Sequence, residues 1–334
     1  MRVVRWPLSA PLSRTDPSHG RTGHRDKVAL LIVSFALLAC AGQSSANQYA
    51  VQPESVIGFG CLHNVQVVPG ERYIATCSES TVCLWHTNGT LASSLRCNGT
   101  YSFNGFAVSP HGSMLVVCDQ SGKLTVIRIP DLSVVAEITY RYSAYMEPSA
   151  GGKIPNRPLS WSPDGSQIAL GWCDFEVHIF NLANRTYTRT LERDVHLGDV
   201  TNVQWSHDGE MLLVSRHGTT ILNASTGESL YTLADSLWSA FSPSGDLIAA
   251  VHDGWVGIHS STNASLLGSA SLEGTAVAWS SDGRHLAVGT PNGRVVVLDS
   301  SGRMVSNLSA GRQYITSLSW QGSLLACGSS DQAV

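Results

Sequence analysis

The sequence predicts an all-β chain of radial four-stranded sheets closed in a ring: a seven-bladed β-propeller whose last blade is incomplete and is closed by an N-terminal strand. Three observations predict it. A turn-and-strand unit recurs at a period near 40 residues, one column of that unit is aromatic or Val, and apolar residues alternate with period two between Gly-containing turns. The clearest units read FAVSPHGSMLVV from Phe106, LSWSPDGSQIAL from Leu159, VQWSHDGEMLLV from Val203, SAFSPSGDLIAA from Ser239 and VAWSSDGRHLAV from Val277. VQVVPGERYIAT from Val65 and a weaker LSWQGSLLAC from Leu318 complete the series. The turn glycines Gly70, Gly112, Gly165, Gly209, Gly245, Gly283 and Gly322 stand 42, 53, 44, 36, 38 and 39 residues apart. Several short strands within each such period mark a propeller blade rather than a helical repeat.

Each element follows from its residues. KLTVIRI from Lys123 and EVHIF from Glu176 alternate strictly, as half-buried strands do. Asp-Gly and Asn-Gly pairs cut the runs short and supply the positive φ that tight hairpins need. Val67, Val108, Trp161, Trp205, Phe241, Trp279 and Trp320 share one column just before the turn. An aromatic side chain removes roughly 150–250 Å² from water when buried, so this column is expected to pack blade against blade.

The units resemble the WD-repeat family of β-propellers from Val65 to the end of the chain, best in HLGDVTNVQWSHDG from His196. In that family a His, a Ser or Thr, an Asp and a Trp form a buried hydrogen-bond network within a blade. No unit here carries all four, and the closing Trp-Asp dipeptide is replaced by Trp85-His86, Phe180-Asn181 and Leu298-Asp299. The resemblance implies a non-catalytic scaffold for protein–protein contacts, with the connections between blades opening on the partner face.

Two regions divide the chain: a leader at 1–46 and the repeat body at 47–334. Arg25 and Lys27 precede the apolar run 28–41, which a small polar stretch follows, in the order of a secretory signal. Its fourteen residues cover about 21 Å as a helix, short of a ~30 Å membrane core. Ala39-Cys40-Ala41 fits signal cleavage, while Leu37-Leu38-Ala39-Cys40 resembles a bacterial lipobox that would lipidate Cys40. An uncleaved anchor is the third reading. The protein is accordingly expected to be secreted or membrane-anchored, extracytoplasmic and monomeric. The seventh unit stops after its second strand, which leaves two readings: closure by a strand near 55–59, or a fragment of a longer product.

Charge and motif exclude several functions. Asp, Glu, Lys and Arg reach only 14%, against about 25% in average domains. Residues 1–27 carry +4 and the remainder −8, a balance that repels phosphate backbones and argues against nucleic acid. No His-x-x-x-His, paired Cys-x-x-Cys or calcium-loop pattern appears, so no metal or other cofactor is expected. Gly151-Gly152-Lys153 lacks the spacing of a phosphate loop, and no Gly-x-Ser-x-Gly elbow is present. The rival reading is an extracytoplasmic propeller enzyme or small-ligand binder using the central channel.

Three further features bear on function. Cys77 and Cys83 flank a short turn, where a bridge or two buried thiols are both open. Sequons stand at Asn88, Asn98, Asn184, Asn223, Asn263 and Asn307, four of them in the turn after a third strand, where turn chemistry accounts for Asn and Ser; glycosylation would follow from a eukaryotic source and export. The 53-residue interval holds an insertion, YRYSAYMEPSAGGKIPNRP at 140–158, whose Tyr142, Tyr145, Met146 and Arg157 are partner-binding candidates.

Overall fold

In the computed structural model the described residues are 2–4, 27–34, 62–78, 81–96, 103–119, 122–139, 158–171, 176–191, 200–216 and 218–333. Six antiparallel sheets follow one another, each built from four consecutive strands. They occupy 62–96, 103–139, 159–191, 202–234, 236–270 and 276–309, here blades 1 to 6. Within a blade the first strand is innermost and the fourth outermost. The inner strands are Leu62–Val67, Phe103–Val108, Leu159–Trp161, Asn202–Trp205, Ser236–Phe241 and Ala276–Trp279. Each packs beside the next.

The ring is completed by the hairpin of Ile315–Gln321 and Leu324–Ala333, which packs on blade 6 at one side and blade 1 at the other. Six complete blades are therefore present where seven were expected. Among the described residues the seventh unit itself supplies two strands. Lys27–Ser34 runs antiparallel beside Leu324–Ala333, with Lys27 opposite Ala333 and Ser34 opposite Leu324, and Arg2–Val4 lies parallel to Lys27–Ser34. The closing strand expected near 55–59 lies outside the described residues.

Because each sheet is apolar on both faces, its side chains divide between two neighbours. Blade 5 gives Ile248 and Ala250 to the seam with blade 4, and Ala249, Val251, Val256 and Ile258 to the seam with blade 6. The described core accordingly falls into seven clusters, one at each seam, including Leu324 and Ala326 against Val65, Ile74 and Trp85 where the ring closes. The aromatic column behaves as expected: Trp161, Trp205, Phe241 and Trp279 are all buried in seams. Cys77 faces blade 2 while Cys83 faces the closing hairpin, since Cys83 pairs with Thr76 and Cys77 with Val82. Adjacent positions in a strand point to opposite faces, so the Cys77–Cys83 bridge is excluded and neither cysteine forms a disulfide. Burial pushes the Cys83 thiol up to about 11.

The first turn of blades 3, 4 and 6 repeats one hydrogen-bonded device. The hydroxyls of Ser162 and Ser206 donate to Asp164 and Asp208 at 2.5 and 2.6 Å and accept the N–H groups of Gln167 and Met211 at 2.9 and 2.8 Å. The Ser206 hydroxyl and then the Glu210 N–H hold the Asp208 carboxyl below the usual carboxylate range. Of the WD-type network, Trp85 Nε1 donating to Thr76 Oγ1 at 3.0 Å is present in blade 1, and His196 lies outside the described residues.

The second recurrent turn, between the third and outer strands, explains the sequons. Thr90, Thr186 and Ser225 hydroxyls donate to Asn88, Asn184 and Asn223 at 2.8, 2.6 and 2.7 Å. Ser133 and Ser301 donate in the same way to Asp131 and Asp299, which are not sequons. The turn selects a side-chain oxygen two residues before a hydroxyl, and Asn or Asp provides it. Immediately afterwards every outer strand carries one bulged residue, for example Val135 between Val134 and Ala136, and Leu267 between Leu266 and Gly268. Bulges blunt an exposed edge against further strand pairing.

Two outcomes follow. Trp279→Ala removes the indole from the blade 5–6 seam together with its bond to Ala240, and is expected to cost about 3–5 kcal/mol in urea unfolding. Asn184→Asp keeps the turn oxygen, so its unfolding midpoint should match the wild type within about 0.5 kcal/mol, whereas Asn184→Ala should lose about 1 kcal/mol.

Candidate interaction surface

The inner strands surround a channel of about 600 Å³. Its wall is held by bonds from one blade to the next. Gln66 accepts the Val108 N–H at 2.6 Å, Ser160 the Trp205 N–H at 3.1 Å, Gln204 the Phe241 N–H at 2.9 Å and Ser319 the Val67 N–H at 2.9 Å. At two of the seams whose equivalent residue is Ala the direction reverses: Trp161 Nε1 donates to Ala107 O at 2.9 Å and Trp279 Nε1 to Ala240 O at 3.1 Å. Each of these bonds pairs a backbone or indole N–H across two neighbouring inner strands.

No Asp, Glu, Lys or Arg is among the described lining residues, and Cys77 and His207 are its titratable side chains. Nor do three or more His, Cys, Asp or Glu gather anywhere among the described residues.

The two mouths differ. One carries Pro69, Pro110, Pro163 and Pro243 from the first turns, beside His207. The other is formed where inner strands begin, at the connections between blades. Here Leu237 is 52% exposed beside the partly buried Trp238 of the channel wall, and Tyr314 is 47% exposed on the connection into the closing hairpin. The insertion leaves blade 2 after Thr139 and returns at Pro158, which lines the channel, so its two ends are rooted at this same mouth. Tyr142, Tyr145, Met146 and Arg157 lie outside the described residues, as does Cys40.

Leu237 and Tyr314 were not foreseen. Leu237 could have been, because blade 5 follows blade 4 across Asp235 alone and its inner strand opens Ser-Leu-Trp, with Leu237 and Trp238 at the places that Thr201 and Asn202 hold in blade 4. A second apolar set escaped notice because outer strands alternate like any others: Leu91, Val134, Leu230, Leu266, Leu267, Met304 and Val305 are exposed beside the second turns. On blades 5 and 6 these strands touch, since a Cβ on Gly268 would stand 2.3 Å from the Ser301 carbonyl oxygen and only glycine fits. No helix among the described residues is long and apolar enough to cross a membrane.

Comparison with known proteins agrees with this architecture. Residues 159–236 and 239–323 match the family described as the anaphase-promoting complex subunit 4 WD40 domain. Minichromosome loss protein 1 of Schizosaccharomyces pombe is 21% identical over 257 residues, 76% of this chain but only 27% of that protein's length. The Cps50 (Swd1) β-propeller domain of Myceliophteria thermophila superposes with a TM-score of 0.67 at 17% identity, over 81% of this chain and 94% of that one. A chain from a crystal structure of the mitotic checkpoint complex gives 0.68 at 15% identity, over 99% and 97%.

Proposed function

The chain belongs to the WD-repeat β-propeller family, and from that premise we propose that it is a non-catalytic scaffold holding protein partners at the connection-side mouth of its channel. One observation carries the reading: a rigid ring exposes Leu237 and Tyr314 around a channel whose described lining lacks carboxylates and cationic chains. Apolar anchors on a fixed frame, with polar groups around them, are what protein interfaces use. Tyr142, Tyr145, Met146 and Arg157, in the insertion between Thr139 and Pro158, are further partner-binding candidates of this reading. The relative found in a mitotic checkpoint complex structure supports the scaffold reading by analogy of fold.

The proposal extends to a seven-bladed ring, with Lys27–Ser34 as third strand of the last blade. It also includes delivery out of the cytoplasm by the leader, with secretion or membrane tethering. Strand and cleaved leader exclude one another for the same residues: a mature N-terminus beyond Ala41 would leave the edge of Leu324–Ala333 without that strand. The 600 Å³ channel, a size typical of small-ligand sites, favours a second reading as a small-ligand binder.

Leu237→Ser combined with Tyr314→Ser tests the scaffold. The double variant should keep the wild-type unfolding midpoint within about 1 kcal/mol and lose the proteins that the intact chain captures, read by quantitative mass spectrometry. An unchanged set of captured proteins would overturn the assignment of this mouth.

A further inference from the structure

The seam between blades 4 and 5 buries polar groups beside its apolar cluster. Next to Leu213, Ile221, Leu233, Phe241, Ile248 and Ala250 it encloses four hydroxyls at 0% exposure. Thr219 Oγ1 lies 2.9 Å from Ser215 Oγ, 2.7 Å from Ser239 Oγ and 2.8 Å from Ser236 Oγ. Two histidines share the seam, His252 at 6% exposure and His259 at 7%. His252 ends the second strand of blade 5, and His259 lies on the third strand, Trp255–Ser260.

The placement of these rings is specific. His252 stacks on Trp255 with centroids 3.8 Å apart and planes 3° from parallel. Gly257 leaves room for His259, since a Cβ there would stand 2.5 Å from its Nε2. Nδ1 of His259 lies 3.1 Å from the Ala264 carbonyl, which can only accept, so Nδ1 carries the proton. The backbone of Asp235 adjoins His252 and favours its charged form, and the buried Nε2 of His252 has no partner. Both rings therefore hold a buried, unpartnered Nε2 inside the seam, with centroids 5.9 Å apart.

Asp235 is the single residue joining the outer strand of blade 4, which ends at Ala234, to the inner strand of blade 5, which begins at Ser236. It holds φ at 54°, a conformation that ordinary side chains rarely adopt. The residues after it carry Leu237 and Trp238 to the channel mouth. We propose that His252 and His259 form an acid-released latch on this crossover, protonation of which opens the blade 4–5 seam and displaces Leu237 and Trp238 from the partner face.

The physics runs in one direction. Protonating either ring leaves an Nε2–H donor without a partner in the closed arrangement, and protonating both places two like charges side by side away from water. Neighbouring groups modulate this. Asp235 on the crossover and Asp253 in the adjoining hairpin of blade 5 are exposed carboxylates; Tyr231 comes from the outer strand of blade 4 and Arg216 from its central hairpin. Burial, and next the charge of His259, push His252 below the ordinary histidine range, against the opposing bond and charge of Asp235. A base depressed on folding stabilises the fold fully above its unfolded value of about 6.5, and that contribution is lost as pH falls below it. No third His, Cys, Asp or Glu joins the pair among the described residues, so nothing here argues for a metal.

The consequence for partners rests on the reading of the mouth given above, but the latch is a property of the chain alone and is tested without a partner. Hydrogen exchange of the intact chain, corrected for intrinsic rates, should show protection over 233–240 falling at least tenfold between pH 7.5 and 5.5. The double variant His252→Gln, His259→Gln should show no such fall. If wild type and variant change alike, or the wild type does not change, the latch is overturned. Should the variant fail to fold, wild-type ring-proton NMR decides: titration of both histidines at the pH of the exchange transition supports the latch, and titration elsewhere refutes it.

Discussion

Everything in this structure depends on the flat faces of neighbouring sheets burying one another around a closed ring. No blade has a core of its own. The described apolar side chains fall into seven seams, each drawing on two sheets, so removal of any sheet would expose the facing surfaces of two others. The seam that closes the ring joins the two ends of the repeat body with no covalent link between its faces. There Val67 N–H reaches Ser319 Oγ across 252 residues of sequence, and Glu71 accepts from the Ser323 hydroxyl at 2.9 Å.

Two levels of polar chemistry refine that packing. Turn serines and Asx residues use their own side chains to satisfy the backbone where strands reverse, and this sets blade after blade to the same geometry. Channel-facing Gln and Ser, or an indole facing an alanine carbonyl, then tie one inner strand to the next. These bonds engage much of the channel wall in holding the ring together.

The sequence made the blades legible because their signals are local. The Ser-x-x-Gly turns, the aromatic column and strict alternation each lie within about a dozen residues, and Trp161, Trp205 and Trp279 sit where that column places them. Ring closure was less legible, because pairing between distant segments leaves no periodic trace, and the apolar composition of 28–41 suits a leader and a strand equally. The choice between a bridge and two buried thiols was illegible for a geometric reason: a one-residue offset puts Cys77 and Cys83 on opposite faces, which only the register reveals. The candidate surface was half legible, since the insertion stands out by its length, whereas Leu237, Tyr314 and the buried pair His252 and His259 become neighbours of function only when sheets pack.

The closing seam is where the account is most exposed to test. The turn at 321–323 touches Ser281 of blade 6, whose Oγ accepts the Gly322 N–H at 2.7 Å, and Glu71 of blade 1. Arg72 and Asp282 are exposed on either side of it. Pulsed electron paramagnetic resonance on spin labels at these two positions measures the seam directly. A closed ring predicts one short, narrow distance that persists until global unfolding; a long or broad distribution under native conditions would contradict it.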